Sequence, residues 1–444
     1  MEAVYVTGMG IVSALGSDVE SWWQALCRGE SGQGQVTRFS TDGIERDQAC
    51  EVKGVPWEPW LTRSEQRQVG RAAGYALAAT RQALEQAGHP NAQTPAPERR
   101  AVVVGTSMGE GDRLGALHRA WFHGNAAGVA PGAVVPFGSV TLPALVARSA
   151  GCEGPIHTVP GACAAGNYAL GLGAELIRTG HADLVIAGAS EVIERLQYAG
   201  FARLGAIAPQ RCQPFDAQRK GLMIGEGAAF FVLESAASVV RRGGQPLAQL
   251  GVLGLTCDAF HITRPHPEGA GSRAALLRAL SATGLAPDAV DYFCAHGTGT
   301  EANDAVEAQV LRAVFGTHVP LVSSLKGAIG HAMGAASAIE AVACVQALRT
   351  GVVPGTVNLE ETDPALEIDV LKRTAHSTRL RVVLNNSLAF GGYNAVLPLI
   401  NAEDVVLQPD APASGRYSAS AGIAVPEGAR EDDAPEGVSG GLRP

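Results

Sequence analysis

Residues 158–170 read TVPGACAAGNYAL, and this stretch decides the fold class. An extended run reaches a Pro-Gly turn, and small residues typical of a closely packed helix follow it as far as Gly180. The segment is therefore predicted to be a strand, a sharp turn and a helix. Similar strand and helix signals alternate along the chain, which favours an α/β architecture with largely buried sheets.

Cys163 lies at this turn, at or beside the N-terminus of the predicted helix. The helix dipole and the free backbone N–H groups there favour a thiolate and can hold an oxyanion. A dipole contribution of about 1 kcal/mol lowers a thiol pKa by less than about one from roughly 8.5. Most of the thiol then stays protonated at neutral pH, so a nearby base should assist. We predict that Cys163 is a covalent nucleophile; a buried structural cysteine is the alternative.

The remaining strand and helix signals suggest two similar halves. A first strand is predicted at 3–7, ending in a loop at Gly8-Met9-Gly10, and a second apolar run at 249–255 also enters a loop. This weak repeat divides the chain into 1–250 and 251–400. A helix is predicted at 70–88, and the further strands are 101–104, 184–187, 228–233, 290–295, 321–323, 382–384 and 395–399.

Composition excludes several classes of protein. The 444 residues are 46% hydrophobic and 17% charged with 55 glycines, which indicates a globular chain. The net charge of −9 argues against a nucleic-acid surface. Eight scattered cysteines without a C-x-x-C pair, and a start without signal-peptide features, predict a soluble cytoplasmic protein with no membrane segment. Residues 401–444 are poor in aromatics and rich in small and acidic residues, so a disordered tail is predicted.

A second candidate segment is Phe293–Thr300, in which a strand ends at His296 and opens into a Gly/Thr loop. The carboxyl ends of strands are where open α/β sheets place their chemistry. Thr298 and Thr300 are suited to hydrogen-bond an extended ligand rich in amides. A histidine that merely caps the strand is the alternative.

A third segment, Val322–His331, leads from a strand into a glycine loop, and a helix is predicted from about His331 to Arg349. A cationic histidine is disfavoured at a helix N-terminus, so His331 should be neutral and able to donate a hydrogen bond. Lys326 is either a surface lysine or part of an internal ion pair, with Glu307 as the candidate partner.

The fourth segment, Asn385–Asn394, is predicted to be a strand, a tight glycine turn and a returning strand. Phe390 precedes Gly391-Gly392 and is a candidate mobile gate. A phenylalanine that is simply packed is the alternative.

Together these four segments resemble the β-ketoacyl-acyl-carrier-protein synthases, in particular the type II elongating class and its polyketide relatives. Cys163, His296 and His331 occur in the family's order, each in a glycine-rich context, and the resemblance covers nearly all of 3–400. It implies a thiolase-like fold of two similar halves in five α/β/α/β/α layers. It also implies a homodimer, or one half of a heterodimer, that works with acyl carrier protein and needs no cofactor or metal.

The resemblance implies a role for each matching residue. Cys163 would take the acyl chain, and His296 and His331 would promote decarboxylation of malonyl-carrier protein and stabilise the enolate. The backbone N–H groups of Cys163 and Phe390 would form the oxyanion hole. The remaining implied roles are a supporting polar pair (Lys326 and Glu307), pantetheine contacts (Thr298 and Thr300), acyl-pocket lining near the dimer interface (Met108) and carrier-protein docking (Arg63, Arg67 and Arg203).

Two departures from the family pattern concern the substrate. Tyr393 stands where the family usually has threonine, and its size is expected to reshape the pocket mouth or the gate. Thr263–His266 replace a blander loop near the expected pantetheine channel.

The predicted function is decarboxylative Claisen condensation in fatty acid or polyketide biosynthesis. The main alternative is a non-catalytic partner subunit of the chain-length-factor kind, which would lack the nucleophilic cysteine. A degradative thiolase would carry a second cysteine in the last glycine turn, and Phe390–Asn394 has none. An acyltransferase that forms esters or amides is a minor alternative.

Overall fold

The computed structural model describes residues 2–89, 95–124, 140–372, 376–377 and 379–404. The side chains of Arg67 and Gln68 lie outside the described residues, as does nearly all of the predicted tail, 405–444.

The strands and helices of the described residues are as follows. The strands are β1 (Val4–Ser13), β2 (Gly34–Gln35), β3 (Gln48–Ala49), β4 (Arg100–Gly105), β5 (Ile156–Val159), β6 (Leu184–Glu191), β7 (Gly227–Ser235), β8 (Ala248–Leu250), β9 (Gly254–Cys257), β10 (Tyr292–Cys294), β11 (Leu321–Ser323), β12 (Val352–Val353), β13 (His376–Ser377), β14 (Val382–Ala389) and β15 (Tyr393–Asn401). The helices are α1 (Val19–Cys27), α2 (Arg63–Gln68), α3 (Arg71–Gln86), α4 (Gly111–Phe122), α5 (Thr141–Ala150), α6 (Ala165–Arg178), α7 (Arg195–Arg203), α8 (Ala236–Arg242), α9 (Ala270–Thr283), α10 (Glu301–Phe315), α11 (Lys326–Ile329) and α12 (Ala336–Thr350). Two 3-10 turns, Ala162–Ala164 and Met333–Ala335, directly precede α6 and α12.

The main sheet repeats one topology. Its strand order is β11-β10-β14-β15-β8-β1-β7-β6-β4-β5, with β9 also paired to β15. In the first half, β4 is parallel to β5 and β6, and β7 is antiparallel to β6 and β1. In the second half, β10 is parallel to β11 and β14, and β15 is antiparallel to β14 and β8. The chain thus traces the same path twice, and β8 links the two sets of strands.

Five layers result from the helix packing. Helices α6 and α12 pack on each other and on strands of both halves. Helices α3 and α5 cover the outer face of the first half, and α9 covers that of the second with α10 beside it. Since α12 is enclosed on all sides, its residues are buried from Ala336 to Leu348, which explains its uniformly apolar sequence. Within the part of the chain that the structure describes, no helix combines the length and apolar character needed to cross a membrane.

The predicted end of the first strand is wrong. β1 continues through Gly8-Met9-Gly10 to Ser13 instead of turning. The glycines are needed because the backbone of α3 lies directly on the strand: a Cβ at Gly8 would lie 2.0 Å from the oxygen of Ala83, and one at Gly10 2.0 Å from that of Ala79. The apolar run at 249–255 is also divided, between β8 and β9. The other predicted strands lie on strands of the structure, and the helix at 70–88 corresponds to α3.

Gly10→Ala should therefore destabilise the protein, because the added methyl group must push α3 away from β1. We expect a loss of about 1–3 kcal/mol in the free energy of unfolding, as for overpacked cores. The matched control is Gly34→Ala, where an added Cβ meets nothing within 4 Å. Thermal unfolding followed by circular dichroism compares the two variants, and equal midpoints would contradict the packing argument.

Candidate active site

Cys163 is the central residue of the 3-10 turn between β5 and α6. The residue before it, Ala162, has φ +47°, a left-handed conformation that is uncommon for a residue other than glycine. The side chain is 7% exposed and lines a cavity of about 470 Å³. The backbone N–H groups of Cys163 and Phe390 lie near its sulfur and act to lower the pKa of the thiol. The predicted junction is thus present, and it holds the thiol at the floor of a cavity with two amide donors.

The two histidines meet Cys163 in this cavity. The ring centroids of His296 and His331 lie 5.3 Å apart at an interplanar angle of 83°, and both rings line the cavity wall. Burial, and then the charge of Lys326, lower the pKa of each imidazole well below its usual value. Both rings are therefore neutral at physiological pH, and a neutral imidazole can donate one hydrogen bond.

The sequence predicted a long helix beginning at about His331, and this start is wrong. His331 follows Gly330, and α12 starts only at Ala336, after the 3-10 turn Met333–Ala335. Its neutrality is thus due to burial and to the nearby ammonium group rather than to a helix dipole.

Lys326 is fully buried, and its Nζ pairs with Oε1 of Glu340 rather than with Glu307. The predicted pair was therefore wrong in its partner. Glu340 is the only acidic residue of α12, whose other side chains are mostly small and apolar. An isolated carboxylate in such a helix was the signal that sequence reasoning missed, because buried charges need partners.

Glu307 holds the His296 loop instead. Its carboxylate accepts hydrogen bonds from the backbone N–H groups of His296 and Gly297, both at 2.7 Å, and from Nδ2 of Asn386 at 2.6 Å. Burial raises its pKa to about 7. The side chain is 1% exposed and is absent from the cavity wall, so a substrate-binding role for Glu307 stays a prediction.

The state of the Cys163 thiol is set by competing effects. Burial raises its pKa to about 11, while Lys326 and the two backbone N–H groups act in the opposite direction. The expected preference for a thiolate at the helix end is therefore outweighed by desolvation. At neutral pH the group is a thiol that must lose its proton as it reacts.

Phe390 occupies the turn between β14 and β15, where Gly391 and Gly392 have φ of +86° and +81°. Its ring stacks on Phe201 at 5.6 Å between centroids, and both rings line the cavity. Gly391 N–H donates to the oxygen of Ile262 at 2.7 Å, which ties the turn to the loop 258–266. The aromatic ring is thus part of the cavity wall.

The wall also carries polar side chains. Thr298 and Thr300 line it, with their Oγ1 atoms 2.9 Å apart. The unusual loop contributes Thr263, Arg264 and Pro265. A long, narrow ligand with amide groups would find hydrogen-bonding partners along this wall.

Two predicted substrate residues lie outside the cavity wall. Tyr393 is 38% exposed and packs edge-on against Tyr168, with centroids 5.9 Å apart. Because side chains alternate along β15, its neighbour Asn394 faces the cavity, whereas Tyr393 is absent from the wall; its expected effect on the mouth or the gate stays a prediction. Met108 is also 38% exposed and absent from the wall; its role near a dimer interface stays a prediction.

The predicted docking arginines are only partly placed. Arg63 is exposed at the start of α2, and Arg203 is exposed at the end of α7 beside Leu204, which lines the cavity mouth. The Arg67 side chain is outside the described residues. Sequence reasoning missed Lys220 altogether, although Lys220 and Arg264 are exposed and line the cavity.

Comparison with known proteins identifies this chain's family. The model of the β-ketoacyl synthase N-terminal domain matches residues 1–238, and that of the C-terminal domain matches residues 247–360. The chain belongs to the β-ketoacyl synthase family.

Relatives of this β-ketoacyl synthase match along almost their whole length. It is 34% identical over 407 residues to 3-oxoacyl-[acyl-carrier-protein] synthase 2 of Synechocystis, covering 89% of this chain and 97% of the relative. It is 36% identical over 404 residues to nodulation protein E of Rhizobium sp. strain N33, covering 89% and 98% of the two chains. Both kinds of relative span the two halves.

Solved structures agree with the layered fold. The ishigamide ketosynthase/chain length factor superposes with a TM-score of 0.86 at 36% identity, covering 90% of this chain and 99% of that one. The ketosynthase ApeO in complex with its chain length factor ApeC, from Xenorhabdus doucetiae, gives 0.77 at 28% identity, covering 90% and 98%. The fold is thus thiolase-like, two similar halves in five α/β/α/β/α layers, and this prediction is confirmed.

The Lys326–Glu340 pair should be strongly coupled. Lys326→Met leaves a buried carboxylate without its cation, and Glu340→Gln leaves a buried cation, so each should cost about 3–5 kcal/mol. In the double variant no charge is stranded, and its loss should be smaller than that of either single variant. Denaturant unfolding of the four proteins tests this, and additive losses would contradict a coupled pair.

Proposed function

We propose that this protein is a ketosynthase that condenses an acyl group held on Cys163 with malonyl-acyl carrier protein, in fatty acid or polyketide biosynthesis. The observation that carries the proposal is that one cavity unites a buried thiol, two amide donors at its sulfur and two neutral imidazoles. The names of the relatives support the same reaction class.

In the first half-reaction, the Cys163 sulfur attacks the carbonyl carbon of an acyl-carrier thioester. The carbonyl oxygen becomes an oxyanion that the N–H groups of Cys163 and Phe390 stabilise. The carbon–sulfur bond to the carrier then breaks, and the proton of the Cys163 thiol goes to the departing pantetheine thiolate. The free carrier leaves, and the acyl group stays on Cys163.

In the second half-reaction, malonyl-carrier protein loses carbon dioxide. The electron pair of the broken carbon–carbon bond forms an enolate whose charge lies on the thioester oxygen. His296 and His331 each donate one hydrogen bond to this oxygen, because a neutral imidazole ring carries one N–H group. The enolate carbon attacks the acyl group, and Cys163 leaves as a thiolate that regains a proton from solvent.

Acyl carrier protein is the proposed partner. Although the chain carries a net charge of −9, the cations Lys220 and Arg264 line the cavity, and Arg203 is exposed next to Leu204, which also lines it. None of them has an ion-pair partner among the described residues, so they are available to an acidic carrier and to the phosphate of its arm. Thr298 and Thr300 would contact the amide groups of that arm. Arg63 and Arg67 are proposed to extend this docking surface.

The proposed setting is the cytoplasm, which the eight free thiols support. We propose a dimer, either of two copies or with a related subunit, since solved relatives include ketosynthases paired with chain length factors. The two halves, 1–250 and 251–400, are proposed to act as one unit around the shared cavity. A purely non-catalytic subunit is disfavoured because Cys163 lines that cavity.

Cys163→Ala should abolish acyl-enzyme formation, because no other thiol among the described residues lines the cavity, while malonyl-carrier protein is still decarboxylated. His296→Ala and His331→Ala should accept an acyl group but condense at least about 100-fold more slowly, as for lost oxyanion donors. Intact-mass measurement with acyl- and malonyl-carrier proteins separates these steps. Acylation of Cys163→Ala, or normal condensation by either histidine variant, would refute the assigned role.

Reversal of charge at the mouth should weaken carrier binding. In the double variant Lys220→Glu, Arg264→Glu, we expect KM for acyl-carrier protein to rise about 10-fold or more at low salt, with a smaller effect at high salt because exposed charges are screened. The matched control is Arg241→Glu. Arg241 lies on α8, which follows the end of β7 that is far from the cavity. Equal KM values for the two proteins would exclude a docking role for Lys220 and Arg264.

A further inference from the structure

Glu191, the last residue of β6, is a fully buried carboxylate outside the chemistry described above. It accepts hydrogen bonds from the backbone N–H groups of Ser107 at 2.7 Å, Met108 at 2.9 Å and Gly334 at 3.2 Å. Thr106 Oγ1 lies 3.3 Å from Oε1 of the same group. No lysine or arginine is paired with it among the described residues. A buried charge without a cation is costly, so a position that retains one needs explaining.

Glu191 joins two segments that are distant in sequence. One is the turn at Thr106–Gly109, which follows β4, and the other is the 3-10 turn Met333–Ala335, which begins two residues after His331. A Cβ at Gly334 would lie 2.7 Å from Oε2 of Glu191 and 2.9 Å from the Ser107 nitrogen. The approach is therefore so close that only glycine fits, and the carboxylate holds the two turns together.

The backbone beside His331 needs such support. Met333 has φ +45°, a left-handed conformation that is uncommon for a residue with a long side chain. The same 3-10 turn packs against the turn Ala162–Ala164 that carries Cys163. A shift at Gly334 would thus change the position of His331 relative to the thiol.

The His296 loop is held in the same way. Glu307 accepts the N–H groups of His296 and Gly297 as Glu191 accepts those of Ser107 and Met108. Glu307 binds the loop that follows β10, and Glu191 binds the loop that follows β4. Each of these two strands lies between two parallel neighbours in its half of the sheet. Unlike Glu307, Glu191 also reaches across to the other half of the chain, at Gly334.

We propose that Glu191 is a positioning residue that holds the His331 segment in register with Cys163 for the condensation step. The inference rests on the proposed function, in which His331 acts only after Cys163 has been acylated. Glutamine has nearly the same shape, but its amide group would bring N–H donors against the backbone N–H groups, so at least one hydrogen bond is lost.

The test compares Glu191→Gln with wild type in separate half-reactions. We expect kcat for condensation to fall about 10- to 100-fold, since small displacements at a reacting centre have effects of this size. Acylation of Cys163 and KM for malonyl-carrier protein should change less than about threefold, because the amide donors and the mouth are untouched and the loss of the Glu191 charge changes the pKa of the thiol only slightly. The control is Glu234→Gln. Glu234 is a buried carboxylate that pairs with Arg242 and lies on β7 opposite Leu184, at the start of β6. The kcat of this variant should stay near that of wild type.

A second readout uses the charge of Glu191, which raises the pKa of the Cys163 thiol. In Glu191→Gln the pH midpoint of Cys163 alkylation by iodoacetamide should move lower, by about 0.5. Glu191→Asp keeps the charge but shortens the side chain, so kcat should fall with the midpoint unchanged. A kcat equal to wild type in both variants would overturn the inference, as would an equal loss in acylation and condensation. If wild type itself does not condense malonyl and acyl groups, the proposed function fails instead, and the alkylation midpoint still reports on Glu191.

Discussion

The site depends on the buried ammonium group of Lys326. This group is fully enclosed and is compensated by Glu340, so its charge acts through protein rather than through solvent. Burial is the larger cause of the lowered pKa of both histidines, and the Lys326 charge adds to it and partly offsets the desolvation of Cys163. One cation thus adjusts a nucleophile and two hydrogen-bond donors without touching the cavity wall. Breaking the pair would alter all three groups at once.

Buried carboxylates provide the rigidity that such a site requires. Burial raises the pKa of Glu191, Glu307 and Glu340 to about 7, because each carboxylate loses its hydration by water. Each is retained because it satisfies backbone N–H groups or an ammonium group that is also buried. Glu191 and Glu307 therefore hold loops, whereas Glu340 holds a charge. The cost of desolvation is offset by fixing the backbone on which the cavity residues stand.

The doubled topology explains why one cavity can collect residues from four distant segments. In each half the parallel strands end on the same side of the sheet, and the helices α6 and α12 begin there from matching 3-10 turns. The two turns pack against each other, so the half that carries Cys163 meets the half that carries the histidines. The mouth of the cavity is then completed by the loop 258–266 and by the end of α7, neither of which has a strong sequence pattern.

Local patterns in the amino-acid sequence determined the order of the elements and the candidate nucleophile, and the resemblance of four segments to a known family gave the reaction type. The Pro-Gly turn before Cys163, the strand ending at His296 and the double glycine after Phe390 are each specified by neighbouring residues. The partner of Lys326, the length of β1, the direction of Tyr393 and the pKa of Cys163 were decided only by the tertiary structure. These depend on which atoms approach from elsewhere in the chain, as α3 does at Gly10 and α12 does at Lys326. Desolvation and close backbone contact are properties of the packed interior, so no local pattern around Cys163 could reveal that burial outweighs the helix dipole.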